Sequence, residues 1–314
     1  MKVIERLSAL ALILLFALSC QNRYVRLGGY AQGGVWAVSY NQEGVTLSAA
    51  QMQAAVDSIL NTIDTTLSGY NAKSQLSRFN RGELKDTGAL FKTALGLARR
   101  YFEMTEGAVD AGAGPLFDVW GFGFSSDSLP DKAALDSAML LSRQWKVLNF
   151  NSFAQGLSCD LVAGFLKSKG VKDMLVDIGE IYCCGVNSKG QDWKVGIDNP
   201  VDGNNSPGAD LHGVWHSGGR SCGLVTSGNY RKYYVVDGVK YSHTIDPRNG
   251  FPVSHSLLSA TVVAPSSAEA DALATFFMVI GSEAARKYVE SRPDIEAYLI
   301  SSDGDWASEG FTLN

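Results

Sequence analysis

Asp271 and Thr275 stand four residues apart in the stretch Ala270-Asp271-Ala272-Leu273-Ala274-Thr275, whose composition is helical. On a helix that spacing sets a carboxylate and a hydroxyl on one face, one turn apart. Hard oxygen donors of this kind suit Mg2+, which takes few protein ligands and completes its shell with substrate phosphate and water. A surface carboxylate and a packed hydroxyl give the same spacing in many helices, so the pair needs a context. The upstream segment Tyr241-Ser242-His243-Thr244-Ile245-Asp246-Pro247-Arg248-Asn249-Gly250, a turn sequence carrying a histidine and a carboxylate, supplies one.

The elements that position these residues are legible in the periodicity. Tyr30 to Tyr40 reads as a strand opened by Gly33-Gly34, after a short tether from Gln21 to Leu27. Met52, Val56, Ile59 and Ile63 recur at three and four, predicting a helix over Leu47 to Leu67. Turn formers fill Ser68 to Ser74. Further helices are predicted at Phe91 to Thr105, Ala133 to Ser142, Cys159 to Ser168 and Ala268 to Ser291, the last interrupted at Gly281. Strands are predicted at Met174 to Ile178, Trp193 to Ile197, around Val225, and at Tyr233 to Val239, Leu258 to Val263 and Ala297 to Ile300. Asp198 to Gly219 reads as a long polar loop. Strands and helices interleave without a regular βαβ period, which favours an α+β fold over a doubly wound sheet. No GxGxxG or Walker pattern is present.

The chain has 314 residues, 46% hydrophobic and 19% charged, enough for a well-buried core. A net charge of −5 without a basic patch argues against nucleic acid as a partner. Lys2 and Arg6 precede the apolar run Leu7 to Leu18, which is short for a membrane span and ends at Ala17-Leu18-Ser19-Cys20. Residues 1–19 then read as a lipoprotein signal peptide and 20–27 as a lipidated cysteine and its tether. An ordinary export signal with an incidental cysteine, or a short membrane anchor, are the other readings. Two acyl chains on Cys20 would suffice for stable anchoring. Gln21 follows in place of an Asp, so the familiar inner-membrane retention signal is absent. Cys159, Cys183, Cys184 and Cys222 lack zinc-like spacing; the exported compartment permits disulfides, and buried small hydrophobes is the plainer reading for most of them.

Five ordered segments together resemble the ApbE-like FAD:protein FMN transferases. They are Gln32 to Trp36; Leu67 to Asn71 with Ser74-Gln75-Leu76-Ser77-Arg78-Phe79-Asn80; Gly107-Ala108-Val109-Asp110 with Gly114-Pro115-Leu116 and Trp120 to Gly123; Asn149 to Gly156; and Ser227-Gly228 with Tyr241 to Gly250, closed by Ala270 to Thr275. The resemblance implies a single T-fold-related catalytic domain over 28–314, with mixed sheets and flanking helices. It implies Mg2+-dependent transfer of FMN from FAD to a Thr or Ser hydroxyl of a target flavoprotein, with release of AMP. The implied acceptors are subunits of respiratory flavoprotein complexes with a D-x-x-[ST]-G-A-[ST]-like motif, met by an enzyme anchored to a bacterial membrane and facing the periplasm.

By the same resemblance, Asp271 and Thr275 would supply side-chain oxygens to Mg2+, and Ser152 its backbone carbonyl. Tyr70 offers a flat ring for stacking on the cofactor, while Gln32, Ala108, Val109, Asp110, Asn149, Gln155 and Ile245 match positions lining the FAD site. His243 and Asp246 are candidates for activating the incoming hydroxyl; a structural histidine ordering the Asp246-Pro247 turn is an equal reading for His243. His212, His216 and His255 read as solvated. Four positions depart from the family pattern: Asn149 for Asp, Val109 for Phe, one glycine in Asp177-Ile178-Gly179-Glu180 where two are usual, and Asn249 for Thr. The missing glycine has the potential to shift the next strand and flip its faces. Hydrolysis of FAD to FMN and AMP, storage or delivery of FAD without chemistry, and binding of another ligand on the same fold are the competing functions.

Overall fold

A computed structural model describes residues 23–123, 129–204, 206–230 and 233–314. The signal segment and Cys20 lie outside them. Among the described residues no helix is long and apolar enough to cross a membrane.

The predicted Tyr30 to Tyr40 strand is in fact two. β1 (Tyr24–Ala31) starts inside the segment read as a tether and turns back into β2 (Gly34–Asn41). Gln32 and Gly33 make the turn with φ of 52° and 81°. Two left-handed residues give the hairpin the twist its strands need, and Gln32 takes a conformation that non-glycine residues seldom adopt. α1 (Ala49–Leu67) begins with a capping box, Ser48 and Gln51 satisfying each other's backbone amides; it buries Met52, Val56 and Ile63 as its periodicity predicts, but Leu60 is buried where the periodicity predicts Ile59, and Ile59 is half-buried. α2 (Gln75–Asn80), absent from the sequence reading, and α3 (Ala89–Met104) follow.

A lobe then forms from a 3-10 turn at Ala111–Ala113, α4 (Gly114–Val119) and α5 (Lys132–Ser142). Its small core joins Ala113, Leu116, Trp120, Leu135, Ala138 and Ile245. The chain continues through α6 (Ala154–Ser168), β3 (Met174–Asp177) and β4 (Ile181–Cys184). β5 (Lys194–Asp198) pairs with β6 (Leu211–His216), a strand inside the stretch read as loop. Next comes β7 (Cys222–Gly228). Tyr233 to Val239 is not one strand but part of a hairpin, β8 (Tyr233–Val236) with β9 (Val239–Ser242), turned at Asp237-Gly238. β10 (Ile245–Asp246) pairs with β11 (Phe251–Pro252) around the Pro247–Gly250 turn. β12 (Leu257–Ala264), α7 (Ser267–Ile280), α8 (Ser282–Glu290), β13 (Glu296–Ser301) and β14 (Trp306–Ala307) complete the domain. Gly281, with φ of 79°, separates the two helices where the sequence places the break.

One antiparallel sheet in the order β1-β2-β3-β4-β7-β12-β13-β14 organises the whole, so the fold is α+β as expected. The main core, on one side of the sheet, holds Trp36, Val38 and Tyr40 of β2 with the buried residues of α1, α6 and α7. On the opposite face Ile181, Cys183, Trp193, Trp215, Cys222 and Leu224 form a smaller cluster under the β5–β6 hairpin.

The tightest packing lies where α7 starts. A Cβ on Gly156 of α6 would stand 2.2 Å from the Ser267 carbonyl oxygen, and one on Gly223 of β7 would stand 2.3 Å from Ser267 Cα. Asp160 accepts from the Ser267 and Ala268 amides at 2.8 and 2.9 Å, and Ser267 Oγ donates to the Ile181 carbonyl at 2.9 Å. Orphan amides at the helix start are thereby satisfied from a neighbouring helix. Gly156→Ala is expected to lower the thermal unfolding midpoint, at a cost of about 1–3 kcal/mol for overpacking; an unchanged midpoint would show slack between α6 and α7.

Candidate active site

Asp271 lies one turn into α7 and is 5% exposed. Its Oδ2 accepts from the Gly156 amide at 3.0 Å. Burial raises its carboxyl pKa to about 7, against that hydrogen bond, and the charge of Asp160 adds to the rise. Thr275, a turn further on, is half-buried within a helix otherwise buried from Ser267 to Val279. Asp271 and Thr275 therefore lie one turn apart on one helix, as their spacing predicts.

Glu180 is a second carboxylate at this place, passed over in the sequence because its segment stood out only for a missing glycine. Burial pushes its carboxyl well above the usual range, and the charges of Asp271 and Asp177 push it further. Among the described residues no Lys, Arg or His pairs with Asp271 or Glu180. Asp271 is buried and Glu180 half-buried, and a buried carboxylate without a counter-charge favours a bound cation. The donor set is one or two carboxylates with neutral oxygens, and it fits a hard divalent ion that retains open positions for phosphate and water. Among the described residues no group of three His, Cys, Asp or Glu side chains forms a closed metal cage.

The Asn149–Gly156 segment joins this half of the site to the next. Asn80 holds its start by donating to the Leu148 carbonyl and accepting from the Leu148 amide, both at 2.8 Å. That double bond explains the asparagine that ends Ser77-Arg78-Phe79-Asn80. Asn149 donates its amide to the Ala111 carbonyl at 2.8 Å, and its Oδ1 accepts from the Asn151 amide at 2.8 Å. Ser152 stands half-buried in the turn before α6. Gln155 lies beside Gly179, where a Cβ would come within 2.9 Å of its Nε2. Gln32 reaches in from the β1–β2 turn to donate to Ser158 Oγ at 2.7 Å. The structure thus gathers Gln32, Ser152, Gln155, Glu180 and Asp271 about the first turns of α6.

Ala108 and Val109 are buried in the main core, so their side chains are taken up by packing. Asp110 caps the 3-10 turn by accepting from the Gly112 amide at 2.7 Å; burial lifts its pKa to about 6 against that bond and one from the Trp145 side chain. Ile245 is buried in the core of the lobe. Asp246 accepts from Arg248 through both oxygens, at 2.9 Å from Nε and 2.8 Å from Nη2, and also from the Arg248 amide. Asn249 Oδ1 accepts from the Phe251 amide at 2.8 Å, closing the turn. Trp120 Nε1 donates to the Gly250 carbonyl at 2.7 Å and ties the turn to the lobe. Stacked rings run from Phe122 through Tyr234 and Tyr241 to Trp120, and His243 stands edge-on to Phe122. Composition showed these aromatics, but strand pairing is what stacks them. Tyr70 is 70% exposed on the loop between α1 and α2, which is pinned by Ser74 Oγ to the Ser68 carbonyl at 2.7 Å.

The described residues thus set oxygen donors on α7 and at the start of α6, a buried Ala108–Val109 backbone before the 3-10 turn, and a histidine-bearing aromatic lobe on one α+β domain. The ApbE family model matches residues 32–299, and the chain belongs to that family. It is 31% identical over 333 aligned positions to an FAD:protein FMN transferase of Vibrio cholerae, covering 97% of each chain. It is 32% identical to one of Salmonella typhimurium, covering 91% of this chain and 87% of the relative. Among solved structures, a flavin transferase ApbE from Vibrio cholerae superposes with a TM-score of 0.79 at 30% identity, covering 91% of this chain and 97% of that one. The apo form of the Pseudomonas stutzeri flavinyl transferase ApbE gives 0.78 at 28%, covering 91% and 95%.

The raised Asp271 pKa sets a pH dependence. The unfolded chain releases this proton near pH 4 and the fold near 7, so between those values the fold binds more protons and loses stability as pH rises. In chelator-treated protein, Asp271→Asn is therefore expected to be more stable than the parent at pH 8, by roughly 2–4 kcal/mol, with the difference vanishing near pH 4. Urea unfolding at both values checks this; a variant less stable at pH 8 would refute the buried charge.

Proposed function

We propose that the chain is a Mg2+-dependent FAD:protein FMN transferase that moves FMN from FAD onto a Thr or Ser hydroxyl of a flavoprotein acceptor and releases AMP. The observation that carries the reading is Asp271 on α7, buried, held by the Gly156 amide and without a cationic partner among the described residues. It is joined by full-length similarity to relatives that bear the transferase name.

Asp271, Thr275 and the Ser152 carbonyl would hold Mg2+, which supplies charge neutralisation and Lewis acidity at a pyrophosphate. The acceptor oxygen forms a bond to the FMN phosphorus as the bond to the AMP oxygen breaks. Such a displacement needs positioning more than covalent help. His243 takes the hydroxyl proton in this reading, because Asp246 is committed to Arg248 through both oxygens. Asp246 then keeps the Pro247–Gly250 turn in shape behind it. Gln32, Gln155, Asn149 and the Ala108–Asp110 backbone line the FAD site, Ile245 contributes its main chain, and Tyr70 stacks on a cofactor ring.

Incubation with FAD, Mg2+ and a peptide bearing D-x-x-[ST]-G-A-[ST] is expected to yield flavinylated peptide and AMP. Free FMN and AMP without labelled peptide would replace the reading by hydrolysis, and intact, retained FAD would replace it by storage. In the same assay Asp271→Ala is expected to abolish turnover, and Tyr70→Ala to weaken FAD binding about two- to tenfold, the loss of a stacking contact on the order of 0.5–1.5 kcal/mol. Undiminished turnover or an unchanged dissociation constant would remove the respective residue from the site.

The reading extends to location: export through residues 1–19 and a lipid anchor on Cys20, facing the periplasm, where acceptor subunits of respiratory complexes are met. Metabolic labelling with a fatty acid should mark the parent and spare Cys20→Ala. Label retained in that variant would exclude the anchor.

A further inference from the structure

Cys183 and Cys222 lie in neighbouring antiparallel strands and are direct register partners, Cys183 of β4 opposite Cys222 of β7. Their sulfurs are 3.7 Å apart, and both side chains are buried in the small cluster under the β5–β6 hairpin. The other described cysteines face elsewhere. Cys184 points to the opposite side of its strand, with Sγ 2.9 Å from Ser221 Oγ and 3.1 Å from the Lys172 carbonyl. Cys159 on α6 donates to the Glu180 carbonyl at 3.0 Å. The adjacent Cys183-Cys184 pair, conspicuous in the sequence, is thus divided by strand alternation, and the partner of Cys183 comes from 39 residues away.

We propose that Cys183 and Cys222 are a disulfide site, closed in the exported protein and open in the reduced one. Directly opposed residues of an antiparallel pair have Cα separations within the range a disulfide spans, so closure needs side-chain rotation without strand movement. A disulfide-bearing oxidant, such as glutathione disulfide or a thiol–disulfide oxidoreductase, accepts the two electrons. The Cys222 thiolate attacks one sulfur of the oxidant and expels its first thiol. The Cys183 thiolate then attacks Cys222 Sγ in the mixed disulfide and expels the second. Two protons and two electrons leave the pair, and one S–S bond forms. The Cys183 thiol, hydrogen-bonded to Cys222, and then Arg220 two residues before it favour the Cys222 thiolate against its burial, which fits it as the first nucleophile.

The bond would close the whole excursion from Cys184 to Ser221, including the β5–β6 hairpin, against the middle of the sheet. It would also fasten β4, which begins directly after Glu180, to β7, which carries Thr226-Ser227-Gly228. Closing a loop of this length constrains the unfolded chain and raises stability. The inference is independent of the flavin chemistry, since neither thiol takes part in the site.

The test uses the full chain, fully reduced and then equilibrated with reduced and oxidised glutathione at oxidising ratio. Unfolding with alkylation followed by peptide mass mapping is expected to show one cross-linked pair containing Cys183 and Cys222, lacking two hydrogens, with Cys159 and Cys184 alkylated. The oxidised protein should melt about 5–10 °C above the reduced protein, and Cys222→Ala should melt alike in both buffers. Alkylation of all these thiols after oxidation, or a link through Cys184, would overturn the proposal. So would equal melting of the oxidised and reduced parent.

Discussion

The seating of α7's first turn between α6 and β7 is the constraint on which the rest depends. Glycines at 156 and 223 let backbone approach backbone, where any side chain would collide with Ser267. Asp160 then takes the two amides that the close approach would otherwise strand, and Ser267 Oγ finds the Ile181 carbonyl. Three elements are locked at one point by groups whose burial without partners would be costly. Asp271 sits one turn beyond that point, so its position is inherited from the seat. The Gly156 amide illustrates the economy: the residue that permits the approach also donates to Asp271.

That seat creates the electrostatic character of the site. Asp271 and Glu180 are drawn into low-dielectric surroundings near one another, and Asp160 and Asp177 add negative charge around them. The described structure offers one backbone amide to Asp271 and no cationic side chain. A protein core would ordinarily neutralise such groups by protonation or pairing. Here burial raises both carboxyls above the usual carboxylate range, Asp271 to about 7. The aromatic lobe carries a contrasting arrangement, with Asp246 fully engaged by Arg248 and the turn held by Trp120. One carboxylate is kept available and another is used as a strut, a difference that spacing in the sequence does not reveal.

Helical periodicity gave α1, α3, α5 and the α7–α8 break because those signals are local. Strand ends were less legible. Tyr24 to Leu27 reads as a tether because β1 is an edge strand whose single fully buried residue is Leu27, and β6, with only Trp215 fully buried, is preceded by turn formers. Ordered motifs carried the site residues, and the structure groups Gln32, Ser152, Gln155 and Asp271 as that order implies. Glu180 was missed because its importance is tertiary: its neighbours Asp271 and Thr226 come from α7 and β7. The Cys183–Cys222 pairing is likewise a product of strand register, while the sequence draws the eye to Cys183-Cys184.

Three of the four departures from the family pattern sit in regular local geometry. The single-glycine connection Ile178-Gly179-Glu180 still pairs Asp177 with Ile181, Gly179 taking φ of 88°. Alternation along β4 then puts Ile181 and Cys183 in the far-side cluster and Tyr182 in the main core. Asn249 caps its turn through Oδ1 onto the Phe251 amide, a contact a Thr hydroxyl can also make. Asn149 caps Asn151 in the same manner, as an Asp would. What changes at residue 149 is charge: a neutral amide stands where the pattern has a carboxylate.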